Sequence, residues 1–418
     1  MGVTLSCYDT MMQHYFDTTF LLLNDFFIKN TNFENDELMI LFESRQPRKQ
    51  FLRKIVLYDL RSKVLAIKDL NQFQEFEDLK DIHHFGKNII FTVSEKKQGD
   101  KLFILENEAT VAHQFDFTKD FFTKVLNTYA DGESKHFLTC ISSEDKTFFF
   151  KLDANGKSVF ANVIDNDYYK SSDAFISKVG ESKYMTILRS EEDWGVVFRS
   201  TLVDGDAVKY LPYHKSYFYI REGHSNPWEQ LDSLTSGVLL SSVPQYTSIS
   251  PVKFFHSDKY TAVTMDFYKP EYYQYYNGYY YDTRFYGYRY DHADVLIYNN
   301  DGTLAGPLQM SYDDSHNLHS TVISKTKVAF LDNGEVLLYY MDSEGFTTQL
   351  LNSEFKVIDP VRTQEIPLRS RRYAMRNAEV DIFVPWFGRN NFILGAYQYS
   401  KDSKNSKVGY IINKLKFE

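Results

Sequence analysis

The residues closest in type and spacing to a reactive centre are Asp313, Asp314, His316 and His319 in SYDDSHNLHS, four possible ligands within seven positions. Carboxylate mixed with imidazole suits zinc or manganese better than calcium, which prefers oxygen throughout. The same residues also make an ordinary solvated loop, and neither an HExxH helix nor an EF-hand loop accompanies them. The expectation is no resident metal and no cofactor. His83 and His84 are adjacent and read as a loop or strand pair. GxSxG elbow, P-loop and GxGxxG turn are all missing from the sequence. A glycan hydrolase would need two carboxylates at a fixed separation, and among Asp+Glu 56 the sequence selects no pair. The balance leans away from catalysis.

Binding chemistry is better represented. Phe267 to Tyr290 reads FYKPEYYQYYNGYYYDTRFYGYRY, nearly half tyrosine. Tyrosine offers a large contact area with a polar tip and few torsions to freeze. Arginine adds a planar fork and a cation–π partner. In this segment Tyr279, Tyr280, Tyr281, Arg284, Phe285, Tyr286, Tyr288 and Arg289 are the expected contacts to a protein or glycan partner. Two other readings stand beside that one: a self-packed lid or long β-hairpin, and a partly disordered low-complexity loop. Trp228 with Arg221 and His224, in REGHSNPWEQ, is a second expected contact site, since Trp and Arg are hot-spot types. Its alternative is a tryptophan capping a sheet edge. Arg362, Arg369, Arg371, Arg372 and Arg376 form a basic cluster that suits an acidic partner, or simply a solvated loop.

The whole chain has 418 residues, 43% hydrophobic and 25% charged, ordinary for a globular protein. Its aromatic share of 17% is high, carried by Tyr 32 and Phe 35, types that favour pleated, half-buried strands. A formal charge of −9 makes nucleic acid a poor partner. No apolar run reaches the ~18 residues of a membrane-spanning helix. Cys7 and Cys140 form neither a CxxC pair nor a ligand spacing. The N-terminus lacks the basic and apolar regions of a signal peptide. An extracytoplasmic or surface location is expected if Met1-Gly2 replaces a removed leader, and a cytoplasmic one otherwise.

One local phrase recurs: a run of β-formers, a tight polar turn, another short strand. Examples are the stretches 55–67, 101–111, 147–160, 195–208, 294–304, 334–346 and 408–417. Asn155-Gly156, Asp204-Gly205 and Asp301-Gly302 mark hairpin tips, because type I′ turns need positive φ at both central residues. Further β-rich segments precede these hairpins at 88–93, 136–141, 183–188, 260–265, 327–331 and 391–396. Short helical connectors are expected at 73–80 and 119–126, and an irregular loop at 360–376.

This pattern, about four strands per unit at a period of roughly 40 to 55 residues, resembles the β-propeller superfamily. The likeness is at the level of fold. Neither the Gly-His and Trp-Asp pair of WD repeats nor the kelch double glycine is present. The nearest match to a sialidase-type Asp-box, Ser143-Glu144-Asp145, lacks the glycine and the tryptophan. The resemblance implies a single all-β domain over 1–418, with about seven four-stranded blades and a Tyr-rich insertion, 267–291, in about the fifth. It also implies closure of the ring by residues 18–28 pairing with 408–417. The leading functional expectation is a non-enzymatic recognition or scaffold module. The alternatives are a propeller-type glycan hydrolase with a site at the central funnel, or a structural subunit of a larger assembly.

Overall fold

A computed structural model covers the chain. It describes all residues except 1, 9–12, 23–25, 35, 47–49, 75, 77–78, 86–87, 96–98, 106–110, 117–122, 132–135, 144–145, 154–155, 166–170, 193–194, 206, 212–213, 221–237, 245–246, 277, 313–315, 318–321, 323, 342–344, 365–372, 375–379, 386–390, 401–407 and 417–418.

The described residues are overwhelmingly strand, and the helical turn among them is a 3-10 turn at Asn71–Phe73. The strands form antiparallel sheets in series. Blade 1 spans 27–69, blade 2 spans 79–116, blade 3 spans 123–165 and blade 4 starts at 171. Blade 5 spans 248–317, blade 6 spans 327–364 and blade 7 spans 373–416. Each is built on four strands, and the sheets of blades 4 and 5 have six. Seven such sheets in series, each built on four antiparallel strands, are the pattern of a seven-bladed β-propeller.

The chain divides into two compact units, the first built mainly on residues 16–218 and the second mainly on 242–418. In the first, the leading strands of blades 1 to 4 (Phe27–Glu34, Leu79–Phe85, Thr123–Asp131 and Ser171–Lys178) neighbour one another in sequence order. The cores lie between blades. Met39, Leu41, Ile55 and Leu57 of blade 1 meet Ile89, Phe91, Phe103 and Leu105 of blade 2. The alternate residues of blade 2, Ile90, Leu102 and Ile104, meet Ala130, Phe137 and Leu152 of blade 3. Blade 3 then packs on blade 4 through Leu138, Cys140, Phe149, Ala174, Tyr184 and Leu188. In the second unit, Val328, Val336, Leu338 and Tyr340 of blade 6 face blade 5, and Ala329, Leu337 and Tyr339 face Phe392 of blade 7.

Burial on both faces explains why inner strands read as continuous apolar runs instead of alternating ones. Val336–Tyr340 is buried at every position. The hairpin tips form where the polar Gly pairs stand, but the expected type I′ turns do not: Gly205 and Gly302 have positive φ, 57° and 85°, while Asp204 and Asp301 do not, because glycine alone of each pair adopts that region without steric cost.

Parts of three expected connectors belong to strands. Of the helical connector expected at 119–126, residues 123–126 belong instead to the strand Thr123–Asp131, with Val125 and Leu126 buried, and residues 119–122 lie outside the described residues. At 73–80 the segment does connect blades 1 and 2, with Phe73 closing the 3-10 turn and Leu79 opening the strand Leu79–Phe85, and residues 75, 77 and 78 lie outside the described residues. In both, burial between blades outweighs a weak amphipathic pattern. Of the irregular loop expected at 360–376, Pro360 and residues 361–364 lie in the strand Val357–Gln364, the outer strand of blade 6, which slips register near Leu350, while 365–372 and 375–376 lie outside the described residues. An outer strand tolerates a residue without an N–H. Residues 18–28 contribute to two strands, His14–Leu21 paired with Gly2–Tyr8, and Phe27–Glu34 paired with Glu37–Arg45. Val408–Lys416 pairs with Asn391–Ser400.

Candidate functional site

The Tyr-rich segment is an ordered extension of blade 5. The strand Tyr260–Tyr276 runs 17 residues and its partner Tyr281–Asn299 runs 19. Their inner halves are ordinary blade strands, flanked by Lys253–His256 and Leu304–Ser311. Past Tyr268 and Tyr288 the flanking strands end, because Ser248 pairs with Tyr268 and Asn317 with Tyr288. Beyond them the two long strands continue together to the pair Tyr276 and Tyr281. Register shifts fall between Phe267 and Tyr268 and between Glu271 and Tyr272, and such bulges bend and twist a ribbon. Of the readings open to the sequence, the long hairpin describes this backbone.

Directly opposed residues share a face, and the two faces differ. One carries Tyr268, Tyr272, Tyr276, Tyr281, Phe285 and Tyr288. Tyr272 meets Phe285 edge-on at 5.7 Å, Phe285 meets Tyr288 at 5.0 Å, and Tyr288 meets Tyr268 at 5.2 Å. The two of these that cross between strands, Tyr272 with Phe285 and Tyr268 with Tyr288, each contribute about 0.5–1 kcal/mol, and Phe285 with Tyr288 links them along one strand. The ladder continues inward through Tyr290, Tyr312 and Tyr340 into the blade 5–6 core. The other face mixes charge with tyrosine. Arg289 pairs with Glu271 at 3.5 Å, Arg284 lies 4.4 Å over the Tyr275 ring, and the Tyr275 hydroxyl donates to Asp282 at 3.0 Å. Desolvation and the Asp282 carboxylate hold the Tyr275 phenol above its usual pKa. A cleft of about 700 Å³ opens at the second bulge, lined by Lys269, Pro270, Glu271, Tyr272, Tyr273 and Tyr286.

Tyr279 and Tyr280 stand at the tip, 91% and 63% exposed, and Tyr281 is 73% exposed. Arg284, Phe285 and Tyr286 are exposed, while Tyr288 and Arg289 are half-buried nearer the blade. The sequence-based contact set concentrated on this second strand. The first strand supplies Tyr272 and Tyr276 to the same aromatic face, and Lys269, Glu271 and Tyr273 to the cleft. Trp228, Arg221 and His224 lie outside the described residues, as do Asp313, Asp314, His319, Asp145, Arg369, Arg371, Arg372 and Arg376. His316 belongs to the short strand pairing with Arg289. Arg362 is described and pairs with Asp359 at 2.7 Å.

Outside the ribbon, the His83 ring links two blades. Its Nε2 bonds to the Thr128 carbonyl at 2.8 Å, joining blade 2 to blade 3, which requires the proton on Nε2. Burial pushes its pKa down to about 4, against the opposing pull of that hydrogen bond. An unfolded histidine takes up its proton near pH 6.5, so between that pH and about 4 the unfolded chain binds more protons. Stability therefore stays level above neutrality and falls as pH drops through this window. Because the ring is only partly buried, the expected loss is about 1–2 kcal/mol. Denaturant unfolding of the native chain and His83→Gln at neutral pH and near pH 4.5 should show a flatter response in the variant. Equal slopes would dismiss this role.

No family model matches the chain, and no curated protein matches it. Solved structures match it at low identity. The β-propeller domain of the trilobed protease from Pyrococcus furiosus is 9% identical, with a TM-score of 0.39, covering 92% of this chain and 97% of that one. A prolyl endopeptidase structure is 10% identical, with a TM-score of 0.45, covering 93% of this chain and 50% of that one. Sqt1 of Saccharomyces cerevisiae is 11% identical, with a TM-score of 0.40, covering 93% and 86%. At such identity the likeness concerns fold only, and a propeller serves enzymes and non-enzymes alike. Among the described residues no helix is long and apolar enough to cross a membrane.

Proposed function

We propose that this chain is a non-enzymatic recognition module that holds a protein or glycan partner on the blade 5 ribbon. The observation that supports this most is the exposure of large aromatics on a paired, ordered extension that the blade does not need for its own core. Tyr272, Tyr276, Tyr279, Tyr280 and Tyr281 are each more than half exposed. A contiguous exposed apolar patch of that kind marks an interaction surface. The ribbon also supplies what such a surface needs for specificity: fixed rings from cross-strand packing, and Arg284, Arg289, Glu271 and Asp282 for polar contacts. Rings already held in place lose little entropy on binding.

The test is a triple variant, Tyr272→Ser, Tyr276→Ser and Tyr281→Ser, compared with the native chain. Retention on a glycan array and on a peptide array would be read together with the thermal midpoint. The expected result is an unchanged midpoint, within about 2 °C, with at least tenfold weaker retention. A variant that unfolds would make the segment structural. A stable variant with undiminished retention, or a native chain that neither array retains, would end the recognition reading.

A further inference from the structure

We propose that the ribbon also joins a second copy of this chain, edge to edge, along Tyr272–Tyr276, in antiparallel register about Gln274. The inference concerns the ribbon's backbone edge, and the proposed recognition uses its faces, so either can fail alone.

The first observation is an open edge. Among the described residues, Tyr272 to Tyr276 pair with the returning strand, and no other strand lies in register along their outer side. Every strand of a two-stranded ribbon turns half of its N–H and C=O groups outward, and such an edge templates pairing with another chain. The second observation is where the usual edge protection stands. Lys269, Pro270 and both register shifts lie at the base. The five residues beyond them, Tyr272-Tyr273-Gln274-Tyr275-Tyr276, hold no charge, proline or glycine. The returning strand is guarded over the same length by Asp282 and Arg284, which oppose Tyr275 and Tyr273. Only the edge of the first strand is left unguarded over this stretch.

The third observation selects the occupant. Tyr-Tyr-Gln-Tyr-Tyr reads the same in both directions. Laid antiparallel against itself, it sets Tyr272 opposite the partner's Tyr276, Tyr273 opposite the partner's Tyr275, and Gln274 opposite the partner's Gln274. A two-fold interface requires this self-complementarity, the same patch serving both subunits. Opposed residues share a face, so the aromatic ladders of both copies would become continuous. Tyrosines across a strand pair attract, and no like charges meet. The ribbon also gains. A two-stranded hairpin is marginal in water, and two ribbons joined make a four-stranded sheet.

Gln274 lies on the proposed two-fold axis, which makes it a sharp probe. Sedimentation velocity from about 1 to about 200 μM spans the range in which so small an interface associates. The weight-average mass should rise from 49.1 kDa toward about twice that value. Gln274→Glu would place two carboxylates opposite one another and should weaken association at least tenfold. Thr283→Glu, on the guarded strand, should leave it unchanged.

A second measurement is independent of charge. Directly opposed residues have Cα atoms about 4.5–5.5 Å apart, within disulfide reach. In a Cys7→Ser background, Gln274→Cys should form an intermolecular disulfide on mild oxidation, and Thr283→Cys should not. A monomer across the whole range, or no cross-link through position 274, overturns the proposal. So does cross-linking through position 283 that matches position 274.

Discussion

Asp266→Ala is expected to cost about 4 kcal/mol or more, enough to leave little folded protein at physiological temperature. Asp266 is fully buried on the inner half of blade 5's long strand. Its carboxylate accepts from the Ser250 hydroxyl at 3.1 Å, the Ser324 hydroxyl at 2.8 Å, and the backbone N–H groups of Lys325 and Thr326, each at 3.0 Å. The Tyr312 hydroxyl is a fifth donor. Burial and the Asp266 charge hold that phenol well above its usual pKa. An ionised carboxylate accepts only, with about four lone-pair sites, and here they are filled. Alanine would strand several buried donors at once, each costing about 1–3 kcal/mol unless the site relaxes.

The consequence reaches the candidate site. Ser324 to Thr326 lead directly into the first strand of blade 6, so this carboxylate fastens blade 5 to blade 6. Phe267, the next residue, pairs with Ile249 where the flanking strands run out and the ribbon begins. Asp266→Asn keeps the shape but turns an amide NH2 toward other donors, and is expected to cost about 2–3 kcal/mol. Tyr312→Phe removes one donor and should cost about 1–2 kcal/mol. Urea midpoints at constant m-value should rank the three in that order. An alanine variant within about 1 kcal/mol of the native chain would show that the donors find other acceptors.

The blade strands could be read from the sequence because burial on two faces demands unbroken apolar runs, as in Val336–Tyr340, and because Gly302 holds the positive φ of a hairpin tip that neighbouring residue types resist. The ribbon was visible as composition but not as structure. Tyrosines at 272 and 273, and again at 275 and 276, fill both faces, so no period of two appears. Two register shifts then change which residues oppose. The aromatic face emerges only once the strands are paired, and this is why Tyr272 and Tyr276 were not singled out. Residues 123–126 read as helix for a related reason: in so short a segment a few apolar residues fit either period, and packing between blades decides. Asp266 gave no signal at all. Ser324, Lys325 and Thr326 lie 58 to 60 positions away, and no local pattern links them.

Arg53 and Glu43 should behave as a unit, each costing about 3–5 kcal/mol when replaced alone and much less than the sum when replaced together. They stand directly opposite on neighbouring strands of blade 1, and both are buried. Arg53 Nε donates to Glu43 Oε2 at 2.7 Å. Its two terminal nitrogens donate to the carbonyls of Phe73 at 2.8 Å and Phe76 at 2.9 Å. Those carbonyls belong to the connector after blade 1, and the Phe73 ring meets Phe91 at 4.8 Å and Phe103 at 5.1 Å inside blade 2. The guanidinium thus fixes a plug in the core between the two blades, a task that needs three donors in one plane. Lysine brings a point charge that cannot span them, so Arg53→Lys should lose about 2 kcal/mol. Glu43→Leu leaves a buried cation unbalanced, and Arg53→Met leaves a buried anion and two orphaned carbonyls. Combining Arg53→Met with Glu43→Leu removes both charges but not the carbonyls. The double variant should therefore recover most of the loss and retain a deficit of about 1–2 kcal/mol. Urea unfolding of the four proteins in the cycle measures the coupling directly. Additivity within about 0.5 kcal/mol would mean that the pair does not act as one, and that the carbonyl contacts alone hold the plug.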